Sequence, residues 1–540
     1  MSKQFEQSPR HRGMVLVIVL VVIMALSLGA YTFSDLMLAQ RHAVKVHGQR
    51  LQTRFFVESG VEVIKTYLAY DDTTKAEMGG HFDNPLMFQG QVVLPDADPQ
   101  MRGGFAVLSP YVDETGDGSG IRYGLEDESA RLNLNVLLLL DKVQEGAGRT
   151  LLMGLPGMTE DVADAILDWM DEDDEPREYG AELEYYSALD PPYAPKNGPL
   201  DTVEELLLVR GVTPELLLGM DTNRNGMLDA HEMAAAGLGT SSLAGSAADP
   251  SAMGYGSDLM LGGGTPGMVE RGWSAYLTLY SAERNVNSEG QPRINLNGSD
   301  LQALSDQLSQ IFEPEWVNFI LAYRLYGPGQ FGEGEMRKAA SVQLDLSQPP
   351  KANFEQVLDL IGVQVRIDQP QDSQSQAIIL RSPFANDRVS MATYLPTLMD
   401  NCTVIEGTVL PGRINVNQAP REMLVGVPGM TEEIADQIVA SRSMSMEEGL
   451  TDHTTETWLL TEGIVTLDQM KALMPFLCAG GDVYRAQIVG YFQAGGPFSR
   501  AEIIFDATGT QPRVLFWRDI SHLGRGYPLE TLGVELVQGM

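Results

Sequence analysis

A long apolar run near the N-terminus is the clearest pattern in the chain. Residues 14–30 contain no charged side chain, and the first charge after them is Asp35. Twenty helical residues rise about 30 Å, which matches the hydrocarbon thickness of a bilayer, so the run predicts a transmembrane helix. The stretch before it is basic, with Lys3, Arg10 and Arg12. A secretory signal peptide cut after Ala30 is the alternative, because small residues close the run.

Apolar positions continue at near-helical spacing beyond this run. They are Leu36, Val44, Leu51, Phe55, Val61, Ile64 and Leu68. No proline occurs between Pro9 and Pro85, so one helix is predicted to extend to about Ala69, with Gly48 and Gly60 as points where it could bend. Equal numbers of Lys and Arg flank the span, so charge does not decide its orientation.

The chain also contains an internal repeat. Residues 151–168 read LLMGLPGMTEDVADAILD, and residues 423–440 read MLVGVPGMTEEIADQIVA. Pro-Gly ends one helix and Thr159 or Thr431 can cap the next, so each copy predicts a helix–turn–helix cassette. An Arg-x-Asn-x-Asn tag precedes each copy, and a third tag leads into a helical stretch without the Pro-Gly turn. The tags are residues 131–135, 413–417 and 293–297.

The expected fold class is α+β: a long N-terminal helix, an antiparallel β-meander body and a large inserted, duplicated α-helical domain. Predicted strands lie at residues 92–94, 104–108, 121–126, 484–492, 501–508 and 513–520. The expected segments are a leader (1–13), the anchor helix (14–69), the first part of the body (70–130), cassette 1 (131–236), a Gly- and Ser-rich linker (237–268), an intermediate segment (269–400), cassette 2 (401–480) and the C-terminal meander (481–540).

Each cassette resembles a helix-hairpin-helix, whose turn often binds a DNA backbone. Phosphate binding needs clustered Lys and Arg. Acids surround both turns instead, at Glu160, Asp161, Asp164, Glu432, Glu433 and Asp436. The formal net charge of −36 also opposes contact with nucleic acid. A packing module is favoured, and DNA binding is the alternative.

Residues 221–232 satisfy the twelve-residue EF-hand loop, with Gly226 at the sharp turn. The candidate calcium ligands are Asp221, Asn223, Asn225, Met227 through its carbonyl group, Asp229 and Glu232. The spacing predicts a calcium site, and a metal-free turn is the alternative. The acidic run at residues 168–175 is expected to be a solvated loop, with cation binding left open.

Only two cysteines are present, Cys402 and Cys478. They could form one disulfide if the body is exported, or remain two separate thiols. The seven histidines are scattered, and no hydrolase, nucleotide-binding or zinc motif occurs, so no catalytic residue is predicted. An extracytoplasmic enzyme without a recognisable motif is the alternative to a structural protein.

A basic leader ending at Gly13, followed by a long apolar helix, resembles a type IV prepilin. The resemblance implies cleavage after Gly13 and methylation of Met14. Most such proteins carry Glu at the fifth mature position, where this chain has Ile18. That departure matches the minor pseudopilin K family of type II secretion systems.

The helical region resembles the same family most closely over about residues 131–212. The motifs are DWMDEDDEPR (168–177), GAE (180–182), YY (185–186), PPY (191–193) and NGPLDTVEEL (197–206). The resemblance implies a calcium-binding, single-pass protein of the inner membrane, with its bulk in the periplasm at the tip of a filament. Its expected partners are the other minor pseudopilins, the major pseudopilin and exported proteins, and no nucleic acid. Another pilus-like machine remains the alternative.

Overall fold

The structure is a computed structural model, and it describes residues 12–112, 119–227, 229, 231–232, 272–329, 334–368, 377–448 and 453–534. The predictions for residues 1–11 of the leader and for the whole linker at 237–268 lie outside the described residues. The described part is α+β, as predicted. It consists of a long helix, an antiparallel sheet and a large helical domain.

Helices and short strands alternate through the described part of the chain. The helices are α1 (Arg12–Leu68), α2 (Asp72–Glu77), α3 (Pro85–Phe88), α4 (Leu137–Val143), α5 (Ala147–Met153), α6 (Glu160–Met170), α7 (Leu183–Ser187), α8 (Pro214–Leu218), α9 (Leu301–Leu308), α10 (Pro314–Tyr326), α11 (Arg388–Asn401), α12 (Arg421–Val425), α13 (Glu432–Glu448), α14 (Trp458–Thr461) and α15 (Leu467–Leu473). The strands are β1 (Gln91–Leu94), β2 (Gly103–Val112), β3 (Ser119–Arg122), β4 (Glu126–Asp127), β5 (Leu132–Asn133), β6 (Leu277–Thr278), β7 (Ala282–Arg284), β8 (Ile294–Asn295), β9 (Glu335–Arg337), β10 (Gln364–Ile367), β11 (Ile378–Arg381), β12 (Cys402–Thr403), β13 (Val409–Pro411), β14 (Ile414–Asn415), β15 (Leu477–Cys478), β16 (Val483–Phe492), β17 (Phe498–Asp506) and β18 (Arg513–Asp519).

The first helix, α1, is continuous over 57 residues, which confirms the predicted single helix. Its side chains from Val15 to Val44 are exposed to solvent. Among the described helices, α1 is long and apolar enough to cross a membrane. Its C-terminal part packs on the sheet instead, where Phe56, Val57 and Ile64 are buried. The two halves of one helix therefore have different environments.

Gly60 marks one place where α1 lies close against the sheet. A Cβ atom at this position would lie 2.9 Å from Cγ2 of Ile488 and 3.0 Å from Cδ2 of Phe105. Real Cβ atoms do not approach other carbon atoms so closely, so a larger residue would push the helix away. The helix continues through Gly48 and Gly60. Gly60 thus serves close packing rather than a break in the helix.

The body is a seven-stranded antiparallel sheet in the order β1-β2-β16-β17-β18, with β3 beside β2 and β4 beside β16. This confirms the C-terminal meander and the predicted strands at 92–94 and 104–108. The single strand predicted at 121–126 is wrong, because the chain breaks at residues 123–125 into β3, which pairs with β2, and β4, which pairs with β16. Side chains alternate along β2, as the pleat of a strand requires. Phe105 and Val107 face α1, whereas Ala106 and Leu108 face the C-terminal segment around Tyr527.

The helical domain is inserted into this sheet between β4 and β16. Asp127 at the end of β4 lies opposite Tyr484 at the start of β16, so the chain leaves the sheet and returns to it at adjacent points. The carboxylate of Asp127 stabilises this junction by hydrogen bonds to two later segments of the chain. Its Oδ2 accepts hydrogen bonds from the N–H of Gly481 at 2.7 Å and from Nδ2 of Asn415 at 2.9 Å.

The helical domain contains three modules of one plan, which we define as module 1 (residues 131–278), module 2 (293–403) and module 3 (413–478). Each begins with an Arg-x-Asn-x-Asn tag, and the strand in that tag pairs in parallel with the strand that ends the module. The pairs are β5 with β6, β8 with β12, and β14 with β15. The sequence predicts a duplicated domain with a third tag, and the structure shows that the third tag makes the same strand pair.

The two asparagines of each tag account for this shared geometry. In every tag, Oδ1 of the first asparagine accepts a hydrogen bond from the N–H of the second, which turns the backbone out of the strand. The N–H to Oδ1 pairs are Asn135 to Asn133 (3.1 Å), Asn297 to Asn295 (2.9 Å) and Asn417 to Asn415 (2.8 Å). The second asparagine then binds the backbone of a later segment, which ties the module together.

Modules 1 and 3 contact each other through glycines at the same position of the repeat. Gly154 follows α5 and Gly426 follows α12, both with φ of −70°. A Cβ atom at Gly154 would lie 2.8 Å from Cα of Gly426, and one at Gly426 would lie 2.9 Å from the carbonyl oxygen of Leu151. Any residue can adopt this φ, so close approach of the two backbones is the reason for glycine.

Candidate metal centres

The predicted calcium loop lies just after α8, where module 1 meets the sheet. Asp221, Asn223, Asn225 and Glu232 are all buried there. Oδ1 of Asp221 accepts a hydrogen bond from the N–H of Asn225 at 3.1 Å, and Oδ2 accepts one from the N–H of Gly226 at 2.7 Å. Gly226 has a φ of +77°, which favours glycine. The first half of the loop therefore has the sharp turn that its spacing predicts.

The last ligand position closes the loop over the first half. Oε1 of Glu232 accepts a hydrogen bond from the N–H of Asn223 at 3.1 Å, and Oε2 accepts one from the N–H of Asp229 at 2.9 Å. Burial alone would raise the pKa of Glu232, but these N–H groups and the hydroxyl of Thr222 together lower it. The carboxylate thus stays charged at neutral pH.

The remaining candidate ligands occupy the middle of the loop. Oδ2 of Asp229 accepts hydrogen bonds from the side-chain amides of Asn223 at 2.5 Å and Asn225 at 3.2 Å. The N–H of Met227 donates to Oδ1 of Asn225 at 2.8 Å. The structure therefore brings all six predicted residues together in one compact loop. Three carboxylates, two amide oxygens and a carbonyl group are a donor set that fits calcium.

A second group of carboxylates lies in the acidic region of module 1. Asp168, Asp171 and Glu182 each offer a carboxylate oxygen within 4.8 Å of the others, and Asp168 and Glu182 are buried. Arg177 forms ion pairs with Asp168 and Asp171. Among the described residues, neither oxygen of Glu182 has a hydrogen-bond partner. Arg177 therefore supplies one positive charge to a group of three carboxylates. A group of carboxylate oxygens with excess negative charge suits a hard cation.

The solvated loop expected at residues 168–175 is only partly present. Side chains 172–175 are exposed, whereas Asp168 is buried against Gly180. A Cβ atom at Gly180 would lie 1.7 Å from Oδ2 of Asp168, so only glycine fits beside this carboxylate. Glu182 is a candidate ligand that sequence reasoning missed. The signal for it was the short Gly-Ala-Glu motif, which places Glu182 two residues after the required glycine.

The Glu182 carboxyl predicts a pH dependence of stability in calcium-free buffer. Burial, followed by the neighbouring charges of Asp168 and Asp171, raises its pKa from 4.5 to about 7. An acid whose pKa is higher in the folded state stabilises the fold below the unfolded pKa, and this contribution is lost as pH rises from about 4.5 through about 7. Urea unfolding with a chelator at pH 5 and pH 8 should show this loss in the wild type, and Glu182→Gln should show less of it.

The matched control is Glu175→Gln, which removes an exposed acid from the same region. This variant should keep the wild-type difference between the two pH values. An equal difference in Glu182→Gln and wild type would contradict the assignment of the elevated pKa to Glu182.

The arginines at matching positions before the two Pro-Gly turns are paired with acids. Nε of Arg149 donates to Oδ1 of Asp164 at 2.7 Å in module 1. At the same position of module 3, Arg421 pairs with Asp436 and Glu432. These arginines are neutralised by acids of their own cassette, so the geometry favours packing over nucleic acid binding.

Cys402 and Cys478 are buried as two separate thiols, so the structure does not contain the disulfide that was left open. Cys402 lies in β12 and Cys478 in β15, which end modules 2 and 3. Burial raises the pKa of Cys402 to about 12 and also raises that of Cys478. Both thiols are therefore protonated and unreactive at neutral pH.

The processing residues Gly13 and Met14 lie in the first turn of α1, and cleavage between them stays a prediction.

Comparison with known proteins finds a match for the first part of the helical region. Residues 130–221 match the family model described as type II secretion system (T2SS), protein K. This segment is similar to protein K. The matched residues contain the first tag, the acidic cluster and the start of the calcium loop.

Two individual proteins are similar to the chain. Over 101 residues it is 35% identical to type II secretion system protein K of Pseudomonas aeruginosa, an alignment covering 17% of this chain and 30% of that protein. The chain thus spans less than a third of the relative's length, and the function of that relative passes to it only as a proposal. The crystal structure of the GspK-GspI-GspJ complex from enterotoxigenic Escherichia coli covers 89% of this chain and 99% of the matched chain, at 12% identity and a TM-score of 0.32.

Proposed function

We propose that this chain is a non-enzymatic minor pseudopilin of a type II secretion system, located at the tip of the pseudopilus and taking part in protein export. The observation that carries the proposal is the combination of α1 with the protein K segment. An exposed apolar helix continues into a half that packs on an antiparallel sheet, and the protein K segment is inserted into that sheet. No catalytic constellation is needed for this role.

The proposed location is the inner membrane, with the rest of the chain in the periplasm. The apolar half of α1 supports this proposal, because an exposed run of this length is stable in a bilayer. The proposed partners are other minor pseudopilins, the major pseudopilin and exported proteins. The solved complex to which the chain is similar is named for GspK, GspI and GspJ of one type 2 secretion system. Beyond the apolar run, Val44, Leu51 and Phe55 remain exposed on α1 and are available for helix packing.

We further propose calcium as a structural cofactor, held by the loop at 221–232 and by the cluster of Asp168, Asp171 and Glu182. A divalent cation would neutralise buried carboxylates that the fold leaves close together, and at the loop it would also stabilise the junction between module 1 and the sheet. The oxygen-only donor sets support this choice over softer metals.

Mass analysis of the N-terminus tests the pseudopilin proposal. Coexpression with a prepilin peptidase should yield a chain that begins at Met14 and carries one added methyl group. Gly13→Val should block this cleavage, because the peptidase acts after a small residue. Gly29→Ala is the control and should be processed like the wild type. A chain cut after Ala30, or one that keeps its leader beside an active peptidase, would reject the proposal.

A further inference from the structure

The calcium loop is fastened to the sheet by an arginine that is distant in sequence. Arg500 of β17 is completely buried. Its Nη1 donates to the carbonyl oxygen of Asn223 at 2.8 Å, and its Nη2 donates to the carbonyl oxygen of Arg224 at 2.6 Å. Neither of these two backbone carbonyl groups is among the six predicted cation ligands. Arg500 therefore contacts the loop without occupying a candidate ligand group.

Two further side chains hold Arg500 in place. Oε1 of Gln487 accepts hydrogen bonds from Nη2 of Arg500 at 2.6 Å and from the hydroxyl of Tyr527 at 2.7 Å. The guanidinium group also lies 5.1 Å from the centre of the Tyr527 ring. All of these acceptors are neutral oxygens. Burying a guanidinium among neutral groups costs free energy, so its retention indicates a specific role in geometry.

Arg224 shows what that geometry is. It has a φ of +57°, a left-handed conformation that costs a non-glycine residue about 1 kcal/mol. Its carbonyl oxygen accepts hydrogen bonds from Arg500 and, at 2.7 Å, from Nε2 of Gln487. Two donors from the sheet thus hold the fourth residue of the loop in its left-handed conformation, between the candidate ligands Asn223 and Asn225.

The residues after Arg224 also contact the sheet side. Nδ2 of Asn225 donates to the carbonyl oxygen of Gly526 at 2.8 Å, and the hydroxyl of Tyr527 donates to the carbonyl oxygen of Asn225 at 3.3 Å. A Cβ atom at Gly226 would lie 2.2 Å from Cβ of Pro110 in β2. Each residue from 223 to 226, in the first half of the loop, therefore contacts the sheet or the segment at residues 526–527.

We propose that Arg500 is a positioning residue for the cation loop, and that cation binding and docking of the helical domain on the sheet strengthen each other through the carbonyl groups of Asn223 and Arg224. This inference rests on the proposed calcium site. Two events that require the same loop conformation must favour each other by the same factor. Arg500 acts from outside the site and touches no ligand oxygen of a side chain.

Electrostatics and positioning predict opposite effects of removing Arg500. A positive charge close to the loop repels a cation, so charge alone predicts tighter calcium binding by Arg500→Gln. Positioning predicts weaker binding, because the loop loses the contacts that hold Arg224 in its left-handed conformation. Arg500→Lys distinguishes the electrostatic explanation from the positioning explanation. Lysine keeps the positive charge, but its single ammonium group cannot replace the two guanidinium nitrogens that bind the carbonyl groups of Asn223 and Arg224.

Calcium titration calorimetry on the detergent-solubilised full chain decides between them. Arg500→Gln and Arg500→Lys should raise the calcium Kd at least about fivefold. Arg513→Gln is the matched control, because Arg513 is an exposed arginine of the same sheet, and it should bind as the wild type does. Unchanged or tighter binding by Arg500→Gln would overturn the inference while leaving the calcium site intact. Absence of calcium binding by the wild type would overturn both.

Hydrogen exchange of the wild type provides a second test that needs no variant. Calcium should slow amide exchange in residues 221–227 and also in the contacting segments, β17 and residues 526–527. Protection confined to the loop would overturn the proposed coupling. Neither measurement depends on membrane insertion or secretion, so the pseudopilin proposal stands or falls separately.

Discussion

Gly154→Val is expected to lower the free energy of unfolding of the helical domain by about 3 kcal/mol. The valine side chain would meet Cα of Gly426 at 2.8 Å and the carbonyl oxygen of Glu422 at 2.9 Å, and neither backbone atom can move without shifting module 3. Gly154→Ala should destabilise less, by about 1–2 kcal/mol. Urea unfolding of the detergent-solubilised chain, followed by tryptophan fluorescence, measures both effects.

The control for this prediction is Gly48→Ala on α1. A Cβ atom at Gly48 would have no neighbour within 4 Å, so alanine there should be neutral or stabilise by up to about 1 kcal/mol. The backbone at Gly154 is also helical, and alanine has a higher helix propensity than glycine. Helix propensity alone therefore predicts that Gly→Ala stabilises the protein at both positions. A Gly154→Ala protein more stable than the wild type would show that the two modules do not approach as closely as the structure indicates.

The second large effect concerns calcium. Addition of calcium should raise the melting temperature of the wild type, since a ligand at one hundred times its Kd stabilises a fold by about 2.7 kcal/mol. Asp221→Ala/Glu232→Ala should lose at least half of this rise, because it removes the first and last ligands of the loop. Adding Glu182→Gln should abolish the remainder by disabling the second cluster. Scanning fluorimetry with calcium and with chelator measures each contribution.

Glu289→Ala/Asp306→Ala is the control for calcium, because it removes two exposed acids that belong to neither cluster. It should keep the full wild-type rise. A rise that is equally large in Asp221→Ala/Glu232→Ala would defeat the assignment of the loop as a cation site.

Much of this fold was predictable because its patterns are local. The apolar spacing along α1 and the alternation in β16, β17 and β18 follow from each element's own period, and the EF-hand spacing brought six residues together without knowledge of the fold. The Pro-Gly repeat likewise predicted two cassettes. The tags predicted a recurring feature but not its partner, since each tag pairs with a strand that carries no matching sequence signal.

What the sequence did not predict depends on contacts between distant segments. Glu182 joins Asp168 only after α6 ends and the chain turns back at Gly180. Arg500 reaches the loop across 277 residues, and neither position has a local pattern that points to the other. The contact of Gly154 with Gly426 is of the same kind. The sequence shows that the cassette is repeated, but a sequence repeat does not indicate which surfaces of the two copies are in contact.

The pairing of β4 with β16 brings the two ends of the helical head side by side. Because Asp127 and Tyr484 are cross-strand neighbours, a domain of different size can be inserted here without changing the strand order, provided that it also supplies acceptors for the buried Arg500. Under the proposed function, evolution can therefore enlarge or exchange the projecting head while α1 and most of the sheet stay constant. A third module is the kind of growth that such a junction permits.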